Sequence, residues 1–173
     1  MPTLELLRAD HAEALLAFER ANREYFARSV PDRGDAFFAE FDAMLHDRLA
    51  EQEDGVCHFH VLVDGGGEIV GRINLVDVEE GCATLGYRIA EHATGRGLAT
   101  AAVADLCRLA AAEYGLRAIT AVATRDNDAS RTVLERNGFT AVAETTIDAR
   151  PATRYRRDLS TPTARDQGHP PYA

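Results

Sequence analysis

Three predicted β-strands joined by very short turns occupy the middle of the chain. Residues 56–63 alternate between two side-chain faces, and residues 68–78 and 82–90 are predicted as the next two strands. The connecting segments 64–67 and 79–81 contain glycine and are only four and three residues long. Two parallel strands need a crossover of about a dozen residues or more. The three strands must therefore be antiparallel neighbours in one sheet.

The residues before these strands have helical periodicity. After a short strand at the N-terminus, a helix is predicted from Asp10, with Asp10 and Glu13 as a capping box, to about Arg28. The Pro-Asp-Arg-Gly run at 31–34 ends this helix, and a second helix follows over residues 35–52.

After the antiparallel strands, helices and strands alternate. In chain order we predict a helix over residues 97–114, a strand over 118–124, a helix over 128–137, and strands over 139–146 and 153–159. Residues 160–173 include three prolines and few apolar side chains, so we expect them to be disordered. The pattern predicts one α/β domain over residues 1–159.

Charge and hydropathy exclude several functional classes. The net charge is −9, and residues 1–54 alone hold thirteen acidic residues against six arginines. So acidic a chain is a poor nucleic-acid binder. The acidity favours either a cationic substrate or a solvated surface, and we favour the surface.

No apolar run approaches the roughly 18 residues of a membrane span, and the N-terminus lacks a signal-peptide pattern. We therefore expect a cytoplasmic protein that does not bind membranes.

Cysteine and lysine usage bears on which metal, disulfide and cofactor sites the chain can form. The three cysteines, Cys57, Cys82 and Cys107, form no C-x-x-C motif, so we expect neither a metal site nor a disulfide framework. All 19 basic residues are arginine. The absence of lysine excludes a Walker A phosphate loop and a pyridoxal Schiff base.

A glycine loop lies where the third strand gives way to the helix at 97–114. A strand ends near Ala90, Gly95 and Gly97 follow, and the helix begins at Gly97. The first amides of a helix have no internal acceptor and carry partial positive charge, so they bind anions. Glycine lets backbone approach a phosphate closely, and Arg96 adds a positive charge. The loop predicts a pyrophosphate site, although an ordinary turn or a degenerate dinucleotide loop would also contain these glycines.

Four motifs together resemble the GNAT superfamily of N-acetyltransferases, and within it the Rim-type acetyltransferases of ribosomal-protein N-termini. The motifs are Leu85-Gly86-Tyr87-Arg88-Ile89, Gly95-Arg96-Gly97-Leu98-Ala99-Thr100, Asn127-x-x-Ser130 and Leu134-x-x-Asn137-Gly138-Phe139. The resemblance implies the acyl-CoA N-acyltransferase fold. This α/β (α+β) fold has a mixed, mostly antiparallel sheet of about seven strands with about four helices. Its fourth and fifth strands are parallel and splay apart.

The resemblance also implies acetyl-CoA as co-substrate and assigns it binding residues. Pantetheine would pair with backbone near Ile89, and Asn127 would form a hydrogen bond with the pantetheine arm. The position of Asn127 before a helix equally predicts that it is the N-cap of that helix. Ser130 would lie near the thiol. The pyrophosphate would bind the loop formed by Gly95, Arg96, Gly97, Leu98, Ala99 and Thr100.

Two positions depart from the family pattern. His92 stands where the loop normally begins with Gln or Arg, and Thr84 stands where this branch often has a glutamate, its usual candidate base. Ser130 is our candidate proton donor to sulfur, and His60 is the base candidate we carry forward. His58, Glu79 and Glu80 are further candidates, and each of these substitutes could instead be an ordinary solvated side chain.

The acceptor is expected to be an amine. A lysine amine with a pKa of about 10.4 is almost fully charged near neutral pH, whereas an α-amine near about 8 is partly neutral. A site without a strong base therefore favours a protein N-terminus. Alternatives are a small cationic amine such as a polyamine or aminoglycoside, and a non-catalytic acyl-CoA-binding domain. Either a monomer or a homodimer is compatible with the sequence.

Overall fold

The computed structural model describes residues 1–159, and the predicted tail at 160–173 lies outside them. Seven strands form one sheet in the order β1-β2-β3-β4-β5-β7-β6. The strands are β1 (Thr3–Leu6), β2 (His58–Val63), β3 (Ile69–Glu79), β4 (Cys82–Ile89), β5 (Ala118–Thr124), β6 (Thr140–Ile147) and β7 (Arg150–Asp158). The helices are α1 (Ala12–Ala21), α2 (Arg23–Ala27), α3 (Asp35–Ala39), α4 (Phe41–Glu53), α5 (Leu98–Ala112) and α6 (Asp128–Arg136).

The sheet is antiparallel except between β4 and β5. These two strands pair in parallel over only three residues each, Cys82–Thr84 with Ala118–Thr120. Beyond Thr120, β5 continues to pair with β7 on its other side. The prediction of a mixed, mostly antiparallel sheet of seven strands is confirmed, and the gap that opens between β4 and β5 is the feature that positions the functional site.

Helices cover both faces of the central strands. On one face, Glu19 of α1 forms an ion pair with Arg72 of β3, and the Gln52 side chain of α4 accepts the Phe59 amide of β2 at 2.8 Å. On the other face, His60 of β2 contacts Tyr114, two residues beyond α5. Residues 59–62 of β2 and residues 69–71, 73 and 75 of β3 are consequently buried, in agreement with strands that lie inside a three-layer arrangement.

The N-terminal helices are more divided than predicted. Residues 1–159 contain six α-helices where about four were expected, because each of the two predicted N-terminal helices is interrupted. The first breaks at Asn22, whose buried side chain donates to Phe18 O and accepts the Glu91 amide at 2.9 Å. The second breaks at Glu40, at φ −105° and ψ 21°.

The predicted capping box of Asp10 and Glu13 was wrong. A 3₁₀ turn at Ala9–His11 precedes α1, and the Arg8 amide donates to His11 Nδ1 at 3.1 Å. The Asp10 carboxylate instead accepts a hydrogen bond from the Arg8 guanidinium. Within residues 1–159, none of the helices combines the length and apolarity that crossing a membrane requires.

Candidate functional site

An open cleft of about 710 Å³ lies where β4 and β5 separate, and we call it the splay cleft. It extends from α2 through the gap between the strands to the first turns of α5 and α6. Eight of the nine residues that the sequence assigned to acyl-CoA binding line it: Ile89, Gly95, Gly97, Leu98, Ala99, Thr100, Asn127 and Ser130. The full lining of the cleft comes from four stretches of the chain, residues 25–30, 85–100, 121–122 and 127–136.

The glycine loop presents free backbone to this cleft. Gly95 and Gly97 both have φ +74°, a left-handed conformation that glycine adopts without strain, and a Cβ at either would meet nothing within 4 Å. Gly97 is the N-cap of α5, and no side chain accepts a hydrogen bond from the first turn. The first-turn amides therefore face an open space with their partial positive charge available to an anion. These features fit a pyrophosphate.

The arginine that lines the cleft beside the glycine loop is Arg136 and not the predicted Arg96. Arg96 is exposed and is not among the residues that line the splay cleft. Arg136, at the C-terminal end of α6, does line it. Sequence reasoning missed Arg136 because its approach to the loop depends on the packing of α6 beside α5.

Asn137 fixes the relative position of these two helices. Its side-chain amide donates to Thr100 O at 3.2 Å and to Val133 O at 2.9 Å, and the residue is buried. One bond thus reaches the first turn of α5 and the other stays within α6. The Asn137-Gly138-Phe139 motif therefore has a positioning role that the sequence did not reveal.

Ser130 lies at the centre of a short hydrogen-bonded chain in the cleft. Its amide donates to Asn127 Oδ1 at 3.1 Å, so Asn127 is the N-cap of α6. The Tyr87 hydroxyl, on β4, donates to Ser130 Oγ at 3.3 Å. Burial raises the pKa of Tyr87, so this hydroxyl stays protonated at neutral pH. Tyr87 is thus both part of the cleft wall and the hydrogen-bond partner of Ser130.

His60 lies outside the splay cleft. Its Nε2 is 2.7 Å from the Tyr114 hydroxyl, its residue exposure is 1%, and burial lowers its pKa to about 4. His58 stacks on the same tyrosine ring at 3.7 Å. Because the His60 side chain is enclosed beside Tyr114, it is not placed to act as a base in the splay cleft.

Thr84 closes the inner end of the gap. Its Oγ1 is 3.3 Å from Thr120 Oγ1 on β5, at the last paired position of the two strands. A hydroxyl at this position cannot act as a carboxylate base near neutral pH. Thr84, which departs from the family pattern, therefore helps to join β4 to β5.

A second depression, of about 820 Å³, adjoins the splay cleft on the side of β3, and we call it the side groove. Asn74 lines the side groove and Gly86 lines the splay cleft, and these two residues are directly opposite each other on β3 and β4. Gly86 is exposed, and a Cβ there would meet nothing within 4 Å. Because Gly86 has no side chain, the space above this position of β4 is open. Glu79 lines the far end of the side groove, but Glu80 does not line it.

Comparison with solved structures identifies the fold. A ribosomal-protein-S5-alanine acetyltransferase from Vibrio fischeri matches with a TM-score of 0.85 and 19% identity over 90% of this chain and 92% of that one. Mycobacterium smegmatis RimJ, in complex with CoA-disulfide, matches with a TM-score of 0.80 and 24% identity over 90% of this chain and 80% of that one. Vibrio cholerae spermidine N-acetyltransferase, in complex with CoA and spermine, matches with a TM-score of 0.75 and 17% identity over 92% of this chain and 96% of that one.

Sequence comparison identifies the family. No curated protein matches the sequence. The family model described as acetyltransferase (GNAT) domain matches residues 3–140, which include β1 to β5, all six helices and the glycine loop. On this match, together with the splayed sheet and the glycine loop, the chain belongs to the GNAT family of acetyltransferases.

Proposed function

We propose that this member of the family transfers acetyl from acetyl-CoA to the α-amine of a protein N-terminus. The observation that carries the proposal is the joining of two features in one cleft, the open amides at the start of α5 and the Tyr87–Ser130 pair. The first suits the pyrophosphate of CoA, and the second lies further into the cleft, where the thioester would lie. Solved GNAT-fold neighbours that contain CoA support the choice of co-substrate.

In the proposed reaction the amine attacks the thioester directly. The amine nitrogen bonds to the acetyl carbonyl carbon, the carbon–sulfur bond breaks, and the thiolate accepts a proton while the nitrogen loses one. Ser130 is the proposed proton donor to sulfur, and the Tyr87 hydroxyl orients it. The proton that the nitrogen loses would pass to solvent water, and a proton from solvent would restore Ser130. The backbone of β4 beyond Thr84, which has no strand partner on its β5 side, would supply amides for the developing oxyanion.

The absence of a carboxylate at Thr84 favours an acceptor that is already partly neutral. An α-amine with a pKa of about 8 is neutral far more often near pH 7.4 than a lysine amine of about 10.4. Neighbours in the comparison are described as acting on the alanine of ribosomal protein S5 and the N-terminal serine of L7/L12. Both observations support an N-terminal acceptor.

A small cationic amine is the second candidate, because a spermidine N-acetyltransferase shares the fold. The two candidates are separated by measuring thiol release from acetyl-CoA with Ala- and Ser-ended peptides, spermidine and aminoglycosides. We expect the peptides to be the better substrates. Rapid turnover of polyamines or aminoglycosides with inert peptides would overturn the proposal, and CoA binding without transfer to any amine would indicate a non-catalytic binding domain.

A further inference from the structure

Three arginines converge on the acceptor side of the sheet. Arg72 of β3 and Arg88 of β4 are directly opposite each other in the antiparallel register, so their side chains leave the same face of the sheet as close neighbours. Arg33 reaches the same place from the loop before α3 and, with Arg72, lines the side groove. We call these three residues the arginine cluster.

Burial and mutual repulsion make this arrangement costly. Burial, followed by the charges of Arg33, Arg88 and Arg48, lowers the pKa of Arg72 to about 9, although Glu19 acts in the opposite direction. The pKa of Arg88 is likewise lowered, first by burial and then by the charge of Arg33. Like charges that share a poorly solvated region destabilise one another.

The carboxylates of the fold compensate only part of this charge. Glu19, which is 3% exposed, has an Oε1 atom 2.8 Å from Arg72 Nε, but the alignment leaves that nitrogen without a hydrogen-bond acceptor. Among residues 1–159, no carboxylate oxygen lies within 4.0 Å of the Arg33 or Arg88 guanidinium. These two side chains instead lie over the aromatic rings of Phe37 and Phe26, at 4.7 and 5.1 Å.

Four other charged side chains line the side groove. Arg48 lies near the cluster, where its charge also lowers the pKa of Arg72, but it is paired with Glu51 at 2.8 Å, both on α4. Asp77 and Glu79 follow the point where β3 pairs with Thr84, toward the end of the strand away from Arg72. The groove therefore has a cationic end and an acidic end, in contrast to the net charge of −9 for the whole chain.

The cluster lies close to where the acceptor amine must approach. Arg88 lines the splay cleft and is two residues from Gly86, the open position between cleft and groove. Arg72 is two residues from Asn74, which is opposite Gly86. An acceptor that enters over Gly86 would thus carry its neighbouring groups past the guanidinium groups.

We propose that the arginine cluster binds a carboxylate that the acceptor carries close to its amine. This inference rests on the proposed transferase function and names its substrate class. A guanidinium binds a carboxylate through two parallel hydrogen bonds, and an acidic partner would supply the charge that Glu19 alone does not. The carboxylate can come from an Asp or Glu side chain early in a peptide or from the α-carboxylate of a free amino acid. A polyamine would be repelled.

The test compares matched acceptors that differ in this charge, and each rate is expressed per neutral amine because an adjacent carboxylate also raises the pKa of the amine. Peptides beginning Ser-Glu and Ser-Gln, and the free amino acid serine with serinamide, are assayed for kcat/KM in the presence of acetyl-CoA. We expect at least a tenfold preference for the acid in one of the two pairs, which also identifies the source of the carboxylate. Equal rates within both pairs would overturn the inference.

Arg33→Gln is the informative variant because Arg33 is exposed and its loss leaves the Glu19–Arg72 pair in place. We expect it to reduce the acid-over-amide preference several-fold through KM, with the affinity for acetyl-CoA unchanged. Arg108→Gln, on an exposed arginine of α5 paired with Asp105, is the matched control and should keep the full preference.

A binding measurement separates this inference from the proposed function. Calorimetric titration of the same peptides and amino-acid derivatives into the CoA-saturated protein does not depend on turnover. Tighter binding of the acids without any acetylation would retain the carboxylate site and reject the transferase. Acetylation of acid and amide acceptors with equal rates and equal affinities would retain the transferase and reject the carboxylate site.

Discussion

The Tyr87 hydroxyl donates a hydrogen bond of 3.3 Å to Ser130 Oγ and so links β4 to α6 across the splay cleft. This contact bridges the cleft that opens where β4 separates from β5. If Ser130 donates a proton to the leaving thiolate, removing its hydroxyl must slow the chemical step more than it weakens binding.

Ser130→Ala should therefore lower kcat about 10- to 100-fold with little change in the Kd of acetyl-CoA. Tyr87→Phe should lower kcat by a smaller factor, because it removes only the group that orients Ser130. Thr140→Ala, on an exposed hydroxyl of β6, is the control for loss of a surface hydroxyl. Unchanged kcat in Ser130→Ala would exclude it as the proton donor.

Gly97→Ala tests the phosphate-binding backbone. The residue has φ +74° and lines the splay cleft, so a methyl group costs about 1 kcal/mol of backbone strain and occupies space in the cleft where the pyrophosphate would bind. We expect the Kd of acetyl-CoA to rise at least tenfold in a calorimetric titration. Gly115→Ala introduces comparable strain at φ +63° at the other end of α5 and should leave the Kd unchanged. Equal effects of the two variants would contradict the assignment.

Arg136 and Arg96 should differ in their contribution to phosphate binding. Arg136 lines the splay cleft and Arg96 does not, although Arg96 lies within the loop itself. Arg136→Gln should weaken acetyl-CoA binding several-fold at low ionic strength, with a smaller difference in high salt because the attraction is screened. Arg96→Gln should have little effect. The reverse order would restore the role that the sequence suggested for Arg96.

Asn137→Ala should reduce both stability and co-substrate affinity. The variant loses the two side-chain hydrogen bonds to Thr100 O and Val133 O, at a cost of about 1–3 kcal/mol in the free energy of unfolding. Because Thr100 belongs to the glycine loop, acetyl-CoA affinity should fall as well. Gln52→Ala removes two comparable hydrogen bonds, to Leu7 and Phe59, far from the cleft. It should lower stability alone.

His60 should make the stability of the protein depend on pH without affecting catalysis. Burial lowers its pKa to about 4, so between pH 4 and about 6.5 the unfolded chain binds a proton that the folded chain does not. The stability due to neutral His60 is fully present above about pH 6.5 and is lost as the pH falls toward 4, by up to about 3 kcal/mol.

Urea unfolding of His60→Gln at a series of pH values should show a shallower loss of stability on acidification than the unaltered protein. Its kcat near neutral pH should be unchanged, because the side chain is enclosed beside Tyr114. Identical pH slopes would contradict the buried neutral histidine. A large fall in kcat at unchanged stability would restore His60 as a catalytic candidate.

Local patterns predicted the strands and the glycine loop well, because both depend on short-range chemistry. The predicted strand at 118–124 coincides with β5, and Gly97 caps α5 as its position implied. The break at Asn22 could not be predicted, since it depends on the Glu91 amide 69 residues away. Alternation placed His60 on one strand face, but only the packing of Tyr114 decides what covers that face. Arg136 was missed for the same reason.

The central claim is that backbone amides at the start of α5 hold the pyrophosphate of acetyl-CoA. The most direct measurement is an amide NMR titration of the ¹⁵N-labelled protein with CoA. We predict that the largest shifts fall on residues 95–100 at the mouth of the splay cleft, with the amides around Tyr114 at the far end of α5 unaffected. Shifts confined to the side groove, or none in the loop at saturating CoA, would contradict the account.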